Sequence, residues 1–167
     1  MREIGFHRIV RQWFETAFPG PTRVQLEGWR AIAGGRDTLI AAPTGSGKTL
    51  AAFLWAVDSL FKKADTDELE DRIHVVYVSP LKALGNDIEK NLRAPLAAID
   101  DLARSAGREP TQIRVGVRTG DTPSYERQLQ IRRLFGRHIA IGIVGEGCPV
   151  RPRRQGVGSG PALTIRI

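Results

Sequence analysis

Apolar residues at Ile4, Phe6, Ile9, Val10, Trp13, Phe14, Ala17 and Phe18 form a helical stripe with polar residues between them, which predicts a helix from Ile4 to Phe18. Pro19-Gly20-Pro21 breaks it. Thr22 then caps a second helix, Arg23 to Ala33, which stops at Gly34-Gly35. Asp37 to Ala41 reads as a buried strand and Leu50 to Val57 as a helix, after which the charged stretch Lys62 to Arg72 predicts a surface connection. Ile73 to Val78 is rich in β-branched residues and reads as a second buried strand, with His74 a packing or edge residue. Leu81 to Ala106 is helical in two pieces, interrupted at Pro95, which lacks an N–H to donate. A turn at Gly107 to Pro110, a strand at Ile113 to Arg118, a helix at Ser124 to Leu134 and a fourth strand at Ile139 to Val144 complete the pattern. Strands alternating with helices predict an α/β fold, a parallel sheet flanked by helices and joined by right-handed crossovers.

One stretch adds chemistry to this pattern. Ala42-Pro43-Thr44-Gly45-Ser46-Gly47-Lys48-Thr49 lies between a predicted strand and a predicted helix. That is the arrangement of a phosphate-binding loop. Glycines let successive amide N–H groups point into one concavity, and the helix begins there with its positive end facing the same place. Thr44, Gly45, Ser46 and Gly47 would line the cradle for a polyphosphate, Lys48 would reach the β- and γ-phosphates, and Thr49 would offer a hydroxyl to Mg²⁺. The strict motif begins with glycine, and Ala42 stands in that position. Gln25 falls on the first turn of the second helix. An exposed glutamine is ordinarily a polar surface residue, but beside a phosphate loop its amide has the donor and acceptor to pair with N6 and N7 of adenine.

Composition changes the picture less than the charge first suggests. The net charge is +7, yet residues 1–126 hold 17 basic and 17 acidic residues. The whole excess lies in residues 127–167, with 8 arginines against Glu146. Basicity is therefore a property of the tail and says nothing about whether the nucleotide-binding body holds nucleic acid. Gly145 to Pro161 is mostly Gly, Pro, Arg and Val, which predicts a poorly ordered tail. A single cysteine, Cys148, excludes an internal disulfide framework and a cysteine-built metal site. No apolar run reaches membrane-spanning length, and Met1 to Val10 carries charges where a signal peptide needs an apolar stretch, so no membrane partner and a cytoplasmic location are expected.

Four stretches together resemble the first RecA-like domain of superfamily 2 DEAD/DEAH-box helicases, most closely the Lhr-type (large helicase-related) ATP-dependent DNA helicases. They are Phe18 to Gln25, Gly35 to Thr49, Val78 to Asp87 and Val117 to Thr122, and the likeness covers about residues 6–128. The resemblance implies that Gln25 is the adenine-reading glutamine and that Lys48 and Thr49 belong to the first nucleotide motif. It further implies that Ser79, Pro80, Leu81 and Lys82 hold strand phosphates at a helix start, and that Arg118, Thr119 and Gly120 make a later strand contact, with DNA favoured over RNA. On this reading residues 1–128 are the N-terminal part of a RecA-like ATP-binding domain and 129–167 a divergent basic tail. The family pattern continues with Thr-Thr-Pro-Glu and then an apolar strand ending in Asp-Glu, and the sequence has neither. Its single adjacent Asp-Glu, Asp67-Glu68, follows polar Thr66. An ATP-binding and nucleic-acid-binding helicase fragment that is not catalytically competent alone is therefore expected, its reading frame broken near residue 129. The alternatives are a nucleic-acid-binding module acting through the arginine tail and a different small P-loop enzyme. The sequence leaves the oligomeric state open.

Overall fold

A computed structural model describes residues 1–43, 45–70, 73–77, 82–111, 113–118, 121–126, 128 and 138–142, with backbone alone at 82–91, 117–118 and 138–142. In chain order the elements are α1 (Arg8–Ala17), α2 (Arg23–Ala33), α3 (Lys48–Asp65), β1 (Ile73–Val76), α4 (Lys82–Ser105), β2 (Arg114–Arg118) and β3 (His138–Gly142). The strands form a three-stranded parallel sheet in the order β1-β3-β2. Ile139 of β3 sits level with Val75 on one side and Val115 on the other. The predicted fourth strand thus occupies the centre of the sheet, and the chain must cross over between β1 and β2 through α4 to leave room for it. Residues 124–126 and 128 of the helix expected at Ser124 to Leu134 are helical.

α2 obeys its sequence signals at both ends. Thr22 Oγ1 accepts from the Gln25 N–H and Gln25 Oε1 accepts from the Thr22 N–H, a reciprocal capping box, and the helix stops at Gly34. α1 is shorter than the predicted Ile4 to Phe18. A turn closed by Gly5 N–H donating to the Arg2 carbonyl precedes it, and His7 is its N-cap, with Nδ1 accepting from the Ile9 N–H. α3 is longer than expected, taking up Lys62 to Asp65 from the predicted connection.

Two further expectations are corrected. Pro95 lies inside one continuous helix, α4, instead of dividing two. Leu92, Leu96 and Ile99 are buried on its core face on both sides of the proline. Their burial, worth about 1.5–3 kcal/mol each, exceeds the roughly 3 kcal/mol that an interior proline costs. Asp37 to Ala41 is not a buried strand: it has no ladder partner among the described residues, and Leu39 is 69% exposed. β1 in turn is a half-exposed edge, with Ile73 and Val76 open to solvent and Val75 in the core. No described helix is long and apolar enough to cross a membrane.

The core brings α1, α2, α3 and α4 together around Phe14, Trp29, Leu54, Leu60, Leu92 and Ile99. A polar clasp fastens α1 to α3 beside it. The Asp58 carboxylate, almost fully buried, accepts from the His7 backbone N–H and from Lys62 Nζ, each at 2.6 Å. Burial pushes the Asp58 carboxyl above its ordinary value, opposed by Lys62 and the His7 N–H. Asp65 accepts from His7 Nε2 at 2.9 Å and from the Arg108 guanidinium. Burial alone would raise the Asp65 carboxyl too, but hydrogen bonds from Arg108 and His7 outweigh it and hold the group below its ordinary 3.8. A carboxyl lowered on folding contributes stability that is present above its unfolded value and is lost as pH falls through its folded value. Asp65→Asn is therefore expected to flatten the fall of the urea midpoint with pH below 3.8; an unaltered acid limb refutes the pairing.

Candidate functional site

Residues 45–47 form a glycine-dependent turn that leads into α3. Gly45 and Gly47 take φ of +82° and +85°, a left-handed backbone that side chains disfavour. The Ser46 N–H closes the loop on the Pro43 carbonyl at 3.3 Å. Gly47 is the N-cap of α3, and no side chain caps that helix. Its first-turn amides are therefore available to an anion. Ser46 Oγ is buried without a hydrogen-bond partner among the described residues, an uncommon state for a hydroxyl. Such an orphaned group, beside uncapped amides, fits a site that takes a polyphosphate.

Lys48, the first residue of α3, folds back over the loop. Its Nζ donates to the Ala42 carbonyl at 2.5 Å and to the Pro43 carbonyl at 2.7 Å. Thr49 is exposed, leaving its hydroxyl accessible to solvent or a cation. Thr44 lies outside the described residues.

Gln25 lies against the loop and not among the ordinary surface glutamines. It is 3% exposed instead of lying on the surface, because its amide is used inside the protein. Oε1 serves the capping box at 2.9 Å, and Nε2 donates to the Gly47 carbonyl at 3.4 Å. An amide has two donor and two acceptor positions, so one of each is committed and one of each is left over. Thr22 reinforces this link: its hydroxyl donates to the Ser46 carbonyl at 3.0 Å. That contact was missed in the sequence, where Thr22 reads only as a cap. The available signal was that Thr22 and Gln25 fall on one face of α2 as polar residues beside an otherwise apolar helix contact. Gly28, on the same face, allows close approach of the segment before the loop, since a Cβ there would lie 2.6 Å from Ile40 Cδ1.

The residues expected to contact nucleic acid are placed in part. Lys82 opens α4 and Arg118 ends β2. Val76 and Arg118 end the two outer strands, β1 and β2, on either side of the central β3. The C-terminal edge of a parallel sheet is where ligands of open α/β folds bind. Ser79, Pro80, Leu81, Thr119 and Gly120 lie outside the described residues. Asp67-Glu68 sits in the turn after α3, with Asp67 in left-handed backbone and the Glu68 N–H donating to the Lys63 carbonyl at 2.9 Å. Its geometry is that of a helix end and not of a carboxylate pair presented by a strand.

A family profile for the DEAD/DEAH box helicase matches residues 22–146. The chain is similar to the Lhr helicase/probable uracil glycosylase of Mycolicibacterium smegmatis, 52% identical over 126 residues, which are 75% of this chain and 8% of that protein. It is similar to the ATP-dependent helicase Lhr-Core of Methanothermobacter thermautotrophicus, 49% identical over 127 residues, 76% of this chain and 15% of that one. Among solved structures, the Mycobacterium smegmatis helicase Lhr bound to ssDNA and AMP-PNP superposes with a TM-score of 0.70 at 46% identity, covering 82% of this chain and 17% of that one. The chain thus spans a small part of the relatives it matches.

Proposed function

Since the chain belongs to the DEAD/DEAH box helicase family, we propose that it binds ATP with Mg²⁺ on the loop 42–49 and nucleic acid, DNA in preference, at the C-terminal edge of its sheet. One observation carries the reading: the uncapped start of α3 beside a buried, partnerless Ser46 hydroxyl, with Lys48 at hand. In this assignment Gly45, Ser46, Gly47 and Thr44 surround the phosphates, Lys48 supplies the mobile charge, Thr49 supplies a hydroxyl for Mg²⁺, and Gln25 uses its remaining donor and acceptor on adenine. Ser79, Pro80, Leu81, Lys82, Arg118, Thr119 and Gly120 contact the strand. The related Lhr structure, bound to ssDNA and AMP-PNP, supports both partners.

Bound Mg²⁺ would neutralise phosphate charge during hydrolysis. For turnover a carboxylate must hold the metal and another must orient water, and the single Asp-Glu step in the sequence, Asp67-Glu68, lies at the end of α3. The proposed activity of this chain by itself is therefore binding without efficient hydrolysis. Isothermal titration with ATP-Mg²⁺ and with GTP-Mg²⁺ tests the assignment. Saturable ATP binding that exceeds GTP binding, with the preference lost in Gln25→Ala, is expected. Equal affinity for the two nucleotides overturns the role of Gln25, and absence of binding overturns the nucleotide reading.

A further inference from the structure

α2 grips α3 at a second point, one turn beyond the loop. The Trp29 indole Nε1–H donates to the Ala51 carbonyl at 2.9 Å, and both residues are fully buried, so water does not compete for the bond. Gln25 and Trp29 stand four residues apart on α2, and their acceptors, Gly47 and Ala51, stand four apart at the start of α3. The Ala51 N–H in turn donates to the Gly47 carbonyl at 2.9 Å. One turn of α3 is thereby held at both ends by a matching turn of α2. Within that turn lie Lys48 and Thr49.

The arrangement has a positional consequence. Each residue of an α-helix turns the side-chain direction by about 100°. The directions of Lys48 and Thr49 therefore follow the rotation of the first turn of α3, where the Trp29 bond to the Ala51 carbonyl adds a directional anchor to the packing of Ala51 and Leu54. Trp29 is itself immobilised, with Phe6 edge-on at 4.8 Å and Phe14 at 5.7 Å. Phenylalanine at this position would fill much of the same space but could not donate, so the indole N–H is the distinguishing feature.

We propose that Trp29 is a positioning residue of the nucleotide site: its indole N–H, through the Ala51 carbonyl, sets the rotation of the first turn of α3 and so the aim of Lys48 and Thr49. The proposal rests on the nucleotide reading given above. It assigns Trp29 a role beyond filling the core.

The test replaces Trp29 site-specifically with benzothienylalanine, which keeps the fused ring and has sulfur in place of N–H, and compares it with Trp29→Phe and with Ile99→Val. Ile99 is a buried residue of α4 and serves as the core control. ATP-Mg²⁺ affinity is measured well below each melting temperature, with circular dichroism confirming the folded state. Both Trp29 variants are expected to bind ATP about fivefold more weakly, the size of one hydrogen bond lost between the misdirected first turn of α3 and the phosphates, while Ile99→Val melts earlier with unchanged affinity. Trp29 variants that melt earlier but bind ATP as the wild type does would show a purely structural role and overturn the proposal. Wild-type protein that binds no ATP would instead overturn the nucleotide reading, and the proposal with it.

Discussion

Lys48→Ala is expected to remove the thermal stabilisation by ATP-Mg²⁺ while leaving the unliganded protein folded. At a hundredfold excess over Kd, binding contributes about 2.7 kcal/mol, and each kcal/mol moves Tm by roughly 2–4 °C for a domain of this size, so the wild type should melt about 5–10 °C higher with nucleotide. The reason the variant loses this lies in what Lys48 does in each state. Without ligand its ammonium rests on the Ala42 and Pro43 carbonyls, at 2.5 and 2.7 Å, in a partly exposed position. In that position water readily replaces the carbonyls around the ammonium, so loss of these bonds lowers the unliganded Tm only by a few degrees. A triphosphate offers the same ammonium several full negative charges, so each contact gains ion–ion attraction that a neutral carbonyl oxygen does not provide. Differential scanning fluorimetry with and without ATP-Mg²⁺ checks both halves. A retained shift in Lys48→Ala would show that the nucleotide sits elsewhere.

What the sequence conveyed well was local. Thr22 three residues before Gln25, with Gly34-Gly35 at the far end, bounded α2 because capping is settled within one turn of chain. Gly45 and Gly47 marked the left-handed positions of the loop for the same reason. Ladder pairing is not local. Asp37 to Ala41 has the residues of a strand, but a strand forms only beside a partner, and its apolar composition could not report that none of the described strands lies next to it. Likewise nothing within His138 to Gly142 could say that it would be the central strand between β1 and β2. Pro95 misled for a related reason: its local cost is real, and burial of Leu92, Leu96 and Ile99 against distant residues exceeds it. In the candidate site, the loop was legible and the face of α2 behind it was not. Gln25, Trp29 and Thr22 meet partners more than twenty residues away, so spacing places them on one face of α2 while the atoms they bond follow from helix packing.

That packing makes Gly47 the position where a single methyl group should do most damage. A Cβ on Gly47 would lie 2.5 Å from Gln25 Nε2 and 3.1 Å from its Cδ, and φ at Gly47 is +85°. Alanine therefore meets two separate costs. The left-handed backbone is worth roughly 1–2 kcal/mol against it, and steric overlap displaces the Gln25 amide from the Gly47 carbonyl and, with it, from the Thr22 N–H of the capping box. Losing that reciprocal cap adds about 1 kcal/mol. Gly47→Ala is expected to lower Tm by roughly 4–12 °C, taking 2–4 °C per kcal/mol, and to abolish detectable ATP binding. The two costs separate in a second variant. Gln25→Ala clears the space that the new methyl needs, so the double variant Gly47→Ala/Gln25→Ala should be less destabilised than the two single changes added together, with the backbone cost remaining. Urea unfolding of the four proteins measures this coupling. Strict additivity would show that α2 and the loop do not touch in the way the Gln25 to Gly47 bond requires, whereas a favourable coupling places Gln25 and the loop before α3 in one mechanical unit.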